Sequence, residues 1–213
     1  MSEVEVGGGR RFASPNEFVR NVGNLVKFGR PRRPPAAAAY DRAMANGLTY
    51  QRTTSTPEAT KQLASTLAPY LHPGDVVVLD GDLGAGKTQF VQGVAAALGV
   101  RTPVTSPTFN ILLEYGEGRI PVYHYDLYRL DDRCQLEDID YYSAIDGDGD
   151  GVAFVEWAEK FPEDMPYDYL ELTVTVEAEG ARRIVAHSYG ARSRQLLCVW
   201  ANDSKSRLGK CQL

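Results

Sequence analysis

Long apolar runs are missing from this 213-residue chain, and none approaches the ~20 residues that a membrane-spanning helix needs. The N-terminus lacks the apolar core of about 7–15 residues that marks a secretory leader. Cysteine is scarce. Cys134, Cys198 and Cys211 are odd in number and form no C-x-x-C pair. This excludes a disulfide framework and a zinc site built on cysteine pairs, and it fits a reducing cytoplasm, with no membrane partner expected. Positive charge is short where a fold would need it to hold nucleic acid. Residues 1–43 carry a net +4, residues 44–213 a net −9, and the whole chain −5. A domain at −9 grips phosphate backbones poorly, so direct binding of nucleic acid by the folded part is not expected. An N-K-x-D motif for reading guanine is also missing, which leaves adenine as the default base.

What is present divides the chain in three. Residues 1–50 are rich in Pro, Gly, Ala and Arg, as in Gly7-Gly8-Gly9 and Pro31-Arg32-Arg33-Pro34-Pro35. They read as a basic, low-complexity, disordered extension with one short helix between Asn16 and Val26. Two other readings stand beside that one: a basic arm for RNA or a partner protein, and a true translation start at Met44. Residues 51–200 read as the folded domain and residues 201–213 as a tail.

Inside the domain, Thr56-Pro57-Glu58 has the residue types of a helix start, and Leu63, Leu67 and Leu71 supply an apolar stripe. Val76-Val77-Val78-Leu79 reads as a buried strand. Phe90–Leu98 reads as a helix with Gly99 as its C-cap. Asn110–Tyr115 and Ile120–Tyr125 flank Gly116-Glu117-Gly118-Arg119 as a hairpin, and Leu136–Ile145 reads as one short helix. Val152–Val155 is a further buried strand. Tyr169–Ala178 and Arg183–Ser188 form a second hairpin, and a helix from about Arg192 to Trp200 closes the domain. Strands alternating with helices, plus two hairpins, predict an α/β sandwich around a mixed sheet.

Between the first buried strand and its helix lies Gly81-Asp82-Leu83-Gly84-Ala85-Gly86-Lys87-Thr88. This matches G-x-x-x-x-G-K-[ST], the P-loop of nucleoside triphosphatases. The glycines let backbone N–H groups close around phosphates, at a helix N-terminus that favours anions. Lys87 brings a mobile positive charge to the β/γ-phosphates, and Thr88 a hydroxyl for magnesium. Strand, loop and helix stand in the order this chemistry requires.

Hydrolysis also needs acids beside the loop, at the C-terminal ends of neighbouring strands. Glu156 ends the run Val152–Val155 and is the candidate magnesium carboxylate. Asp126 ends Val122–Tyr125 and is the candidate for polarising the attacking water or joining the magnesium shell. Arg129 is placed to steady Asp126 or touch phosphate, whereas His124 reads as a packed, hydrogen-bonded side chain. Thr105-Ser106-Pro107-Thr108 has the hydroxyls of a γ-phosphate-sensing segment or, equally, of an ordinary connection. Asp146-Gly147-Asp148-Gly149-Asp150-Gly151 imitates half of a calcium loop. Its twelfth position is Trp157 and an apolar strand follows, so it reads as an acidic surface loop.

Four segments together, Gly81–Thr88, Ser106–Phe109, His124–Arg129 and Val155–Trp157, resemble the TsaE family in order and approximate spacing over about residues 54–197. These are bacterial ATPases of threonylcarbamoyladenosine synthesis on tRNA. The resemblance implies a P-loop NTPase-like α/β sandwich with a mixed central sheet. It also implies slow ATP hydrolysis with Mg2+, dependent on TsaD-like and TsaB-like partner proteins, with tRNA reached only through their complex. It implies that Gly84, Ala85, Gly86, Lys87, Thr88 and Gln89 contact the ATP phosphates and that Thr88 and Glu156 hold magnesium. Asp126 would be the catalytic acid, Ser106–Thr108 a switch-like segment, Trp157 an influence on turnover and Thr56–Thr60 a border of the base. A P-loop kinase of a small metabolite is the first competing reading. It lacks the arginine-rich lid such enzymes use, since the region just after Asp126 offers only Arg129 and Arg133 among many acids. A nucleotide-gated docking module without hydrolysis is the second.

Overall fold

The structure, a computed structural model, describes residues 49–147 and 149–207. The expectations for residues 1–48, including the short helix and the Met44 start, lie outside the described residues, as does the tail beyond Arg207.

The chain enters on β1 (Thr49–Thr54) and turns into helix α1 (Pro57–Ser65). Thr56 is extended, and its hydroxyl accepts the Ala59 N–H at 3.1 Å, while proline follows where a missing N–H costs nothing. Strand β2 (Val76–Asp80) is buried at every position but its last. It runs parallel to β6 (Tyr169–Val176) on one side and to β5 (Val152–Glu156) on the other. β-Branched residues with both faces covered account for its unbroken apolar sequence.

Outside this centre the sheet continues with β4 (Val122–Asp126), parallel to β5, and β3 (Leu112–Tyr115), antiparallel to β4. On the other flank β7 (Arg182–Tyr189) pairs antiparallel with β6, and β1 antiparallel with β7. Among the described residues the order is β1-β7-β6-β2-β5-β4-β3, a mixed sheet as predicted.

Period-two alternation divides the core. Val77, Leu79, Val122, Val152 and Phe154 face α1, α2 (Lys87–Leu98) and α5 (Ala191–Arg207), meeting Leu63, Phe90, Val91, Val94, Leu197 and Trp200. Val76, Val78, Ala153 and Val155 face α3 (Cys134–Asp138) and α4 (Tyr141–Ile145), meeting Leu136, Tyr141 and Ile145. Each such large side chain contributes about 1.5–3 kcal/mol by leaving water. The two layers hold the C-terminal ends of β2, β4 and β5 side by side, where the phosphate loop departs.

Four elements differ from the sequence expectation. The first helix stops at Ser65 and the chain goes on through a short 3-10 turn (Ala68–Tyr70), so Leu67 and Leu71 enter the core from beyond the helix. The helix over Leu136–Ile145 is two helices, because Asp140 takes a left-handed conformation (φ 54°) between them. The break re-aims the chain so that Tyr141, Ala144 and Ile145 enter the same core as Leu136, which one continuous helical stripe would not allow. Strand β1, unforeseen, adds to the sheet through pairing with β7, a partner far away in sequence. The final helix continues past Trp200 to Arg207.

Candidate functional site

The phosphate loop leaves β2 at Asp80 and enters α2 at Lys87. Gly86 stands at the N-cap with φ 110°, a conformation that side-chain-bearing residues rarely adopt. At Gly81 a Cβ would lie 2.3 Å from the Val174 carbonyl oxygen, so the loop can pass this close to β6 only with glycine there. Gly84 and Leu83 are exposed at the tip, and Ala85 is buried beneath it. The loop closes at the N-terminus of a 12-residue helix, whose first-turn N–H groups favour an anion.

Lys87 is folded back over its own loop. Its Nζ donates to the carbonyls of Gly81 (2.7 Å) and Asp82 (3.2 Å), stands 3.7 Å from Glu156 Oε2, and lies 4.8 Å from the centre of the Trp157 ring. Thr88 Oγ1 donates to Glu156 Oε1 at 3.4 Å. Thr88 and Glu156, 68 positions apart in sequence, are thus brought together. Gln89 has a buried Oε1 with no partner among the described residues.

Asp126 and Glu156 are register partners at the ends of parallel β4 and β5, both buried. Asp126 Oδ2 accepts the Thr108 hydroxyl at 2.7 Å and Oδ1 accepts the Tyr128 N–H at 3.0 Å. Thr108 Oγ1 is also 2.7 Å from Ser106 Oγ, which ties the Ser106–Thr108 segment directly to this carboxylate. Gln92 of α2 donates to the Val104 carbonyl at 2.8 Å and anchors the segment's start. Arg129 does not steady Asp126: its guanidinium lies over the exposed Phe109 ring, 4.5 Å from the centre. Thr108 does that work, because the segment folds back across the end of β4.

Two contacts escape a linear reading. His124 is packed and hydrogen-bonded as its sequence reads, but its partner is Glu156: the ring is fully buried with Nε2 2.9 Å from Glu156 Oε1. Arg182, the first residue of β7, donates from Nε to the Ala85 carbonyl at 2.9 Å and from Nη1 to the Gly180 carbonyl, so it braces the phosphate loop from the side opposite Glu156. The only sequence signal for Arg182 was its place just after a hairpin turn; its closeness to the loop depends on the β6–β2 pairing. Trp157 has φ 62°, and this left-handed turn after β5 lays its ring under Lys87 and against Tyr128, at 5.0 Å between ring centres.

The donor set fits a hard cation held mainly by its ligand. Among the described residues no three His, Cys, Asp or Glu side chains converge as a ready-made metal cluster. One carboxylate and one hydroxyl beside a phosphate cradle is the arrangement that suits magnesium, which keeps waters and takes phosphate oxygens as its other ligands.

Known proteins resemble this chain in sequence and in fold. The family model "Threonylcarbamoyl adenosine biosynthesis protein TsaE" matches residues 54–184. The chain is 41% identical to the tRNA threonylcarbamoyladenosine biosynthesis protein TsaE of Bacillus subtilis, over 68% of this chain and 89% of that protein. It is 37% identical to the protein of the same name from Mycobacterium tuberculosis, over 78% of this chain and 99% of the relative. Among solved structures, Bacillus subtilis YdiB superposes with a TM-score of 0.64 at 34% identity, covering 74% of this chain and 97% of that one.

Proposed function

The chain belongs to the TsaE family, and from that premise we propose that it is a magnesium-dependent ATP hydrolase serving the threonylcarbamoyladenosine modification of tRNA. It acts with TsaD-like and TsaB-like proteins and reaches tRNA only through their complex. The observation that carries the reading is one juxtaposition: a phosphate loop whose Thr88 meets Glu156, with Asp126 in register beside it. The names of the relatives support the tRNA pathway, and the acidic domain supports indirect contact with RNA.

In this reading Gly84 to Gln89 bind the phosphates of ATP, and Lys87 exchanges its loop carbonyls for phosphate oxygens. Thr88 and Glu156 hold magnesium, which when bound neutralises charge on the phosphate oxygens. Asp126, fixed by Thr108 and the Tyr128 N–H, accepts a hydrogen bond from water and orients it for in-line attack. A bond forms from the water oxygen to the γ-phosphorus, the bond to the β-γ bridging oxygen breaks, and ADP and phosphate leave, with the water's proton ending on phosphate or solvent. Thr108 links the Ser106–Thr108 segment to that carboxylate, so loss of the γ-phosphate is transmitted to a surface a partner protein can read.

The test is phosphate release from ATP with and without magnesium, alone and with purified TsaD-like and TsaB-like proteins, with Lys87→Ala as control. Weak release that rises with the partners is expected. Binding without release under every condition overturns hydrolysis, and transfer of labelled phosphate to a metabolite points to a kinase.

A further inference from the structure

His124 is a histidine sealed in the sheet, and the hydrolytic reading above gives it no task. It sits two residues before Asp126 on β4, on the face that carries Val122 into the α2 side of the core. Its register partner on β5 is Phe154, yet its ring reaches the next residue on that face of β5, Glu156. The ring is 0% exposed, and it has two nitrogens to account for. Nε2 lies 2.9 Å from Glu156 Oε1. Nδ1 is buried and has no hydrogen-bond partner among the described residues.

Those two facts decide the tautomer. A proton on Nδ1 would be a buried donor with no acceptor, and Nε2 would then turn a bare lone pair toward a carboxylate oxygen. A proton on Nε2 is donated to Oε1 and leaves only an unused lone pair at Nδ1, the cheaper of the two arrangements.

We propose that His124 is the positioning residue of the magnesium carboxylate: its Nε2–H fixes Glu156 Oε1, so that the carboxylate is held in the orientation in which, with Thr88, it takes a cation. The inference rests on the reading of Glu156 as a magnesium residue. Three features support it. Oε1 is the oxygen shared with Thr88, so fixing it sets the carboxylate plane relative to the hydroxyl. Oε2, which faces Lys87 at 3.7 Å, is left for the site's other charges. The donor is confined, because a ring at 0% exposure is enclosed by close-packed neighbours. Partners of this kind, one shell behind a metal ligand, typically govern 10–100-fold in metal affinity.

The experiment measures the magnesium dependence of binding of a fluorescent ADP analogue, so that its main readout does not depend on turnover. Wild type, His124→Phe, His124→Gln, Glu156→Gln and the double variant His124→Phe/Glu156→Gln are compared. His124→Phe should raise the magnesium concentration for half-maximal effect by about 10-fold or more, with magnesium-free nucleotide affinity within about 3-fold of wild type. His124→Gln, whose amide can place an N–H near the same point, should recover most of that loss. In the Glu156→Gln background His124→Phe should add nothing. An unchanged magnesium dependence in His124→Phe, or equal losses with and without magnesium, overturns the role of His124 and leaves Glu156 in place. Magnesium-independent binding in wild type overturns both. If His124→Phe does not fold, 15N-labelled histidine in the wild-type protein gives the answer: a proton on Nε2 and a bare Nδ1 support the proposal, and the opposite tautomer refutes it.

Discussion

Replacing Lys87 with methionine should destabilise the nucleotide-free protein, and the loss should be partly repaired by a second substitution that removes a charge. Lys87 and Glu156 are each only about 5% exposed, with 3.7 Å between Nζ and Oε2. Breaking a buried pair costs ~3–5 kcal/mol when the remaining charge is abandoned. Here Glu156 keeps the His124 N–H at 2.9 Å and a longer bond from the Thr88 hydroxyl, so the expected loss is smaller, ~1–3 kcal/mol. With a urea slope of ~2 kcal/mol/M, a loss of about 2 kcal/mol lowers the unfolding midpoint by about 1 M. Lys87→Met/Glu156→Gln should regain at least about half of that, since the amide is neutral and its oxygen still accepts from His124. Urea unfolding followed by far-UV circular dichroism, without nucleotide, reads both quantities. A Lys87→Met midpoint equal to or above wild type would show that Lys87 does not compensate Glu156 in the free protein, and the reasoning would fail.

Three further outcomes are expected. Asp126→Asn should lower the rate of phosphate release by about 100-fold or more while nucleotide affinity stays within a few-fold, read by single-turnover hydrolysis beside equilibrium binding. Arg182→Ala should weaken nucleotide binding by about 10-fold, because a charged donor to the Ala85 carbonyl is worth roughly 1.5 kcal/mol, and Arg182→Lys should not restore the loss fully; calorimetric titration checks both. The Tyr123 phenol is pushed up to about 12 by burial and by its hydrogen bond to Asp150 Oδ1 at 2.6 Å. A folded value above the unfolded 10 means that this group's stabilisation is whole below pH 10 and is lost between about 10 and 12; Asp150→Asn should move its absorbance titration near 295 nm down, though not fully to 10, since burial remains.

The phosphate loop was legible because each of its positions answers a local demand: glycine where φ is positive, lysine and threonine at a helix start, and an unbroken apolar strand in front. Glu156 and Asp126 were legible for a related reason, since an acid at the end of a buried strand is conspicuous in any register. Contacts created by pairing were not. Arg182 meets Ala85 only because β7 joins β6 and β6 joins β2, and His124 meets Glu156 only because β4 and β5 align in one register. Thr49–Thr54 has one large buried apolar residue, Tyr50, so its strand character comes from β7 rather than from its own composition. Leu136–Ile145 was read as one helix because a left-handed aspartate leaves no mark that distinguishes Asp140 from Asp138.

The chain has two tryptophans, and the fold gives them opposite surroundings. Trp200 is fully enclosed, its indole N–H donating to Thr66 Oγ1 at 2.8 Å. Trp157 lies beneath the Lys87 ammonium at 4.8 Å. The two tryptophans should therefore act as separate emitters: the enclosed one should report unfolding, and Trp157 should change its emission if nucleotide draws Lys87 off its ring. In a Trp200→Phe variant, an emission change on adding ATP would make occupancy of the loop visible in real time without any attached dye.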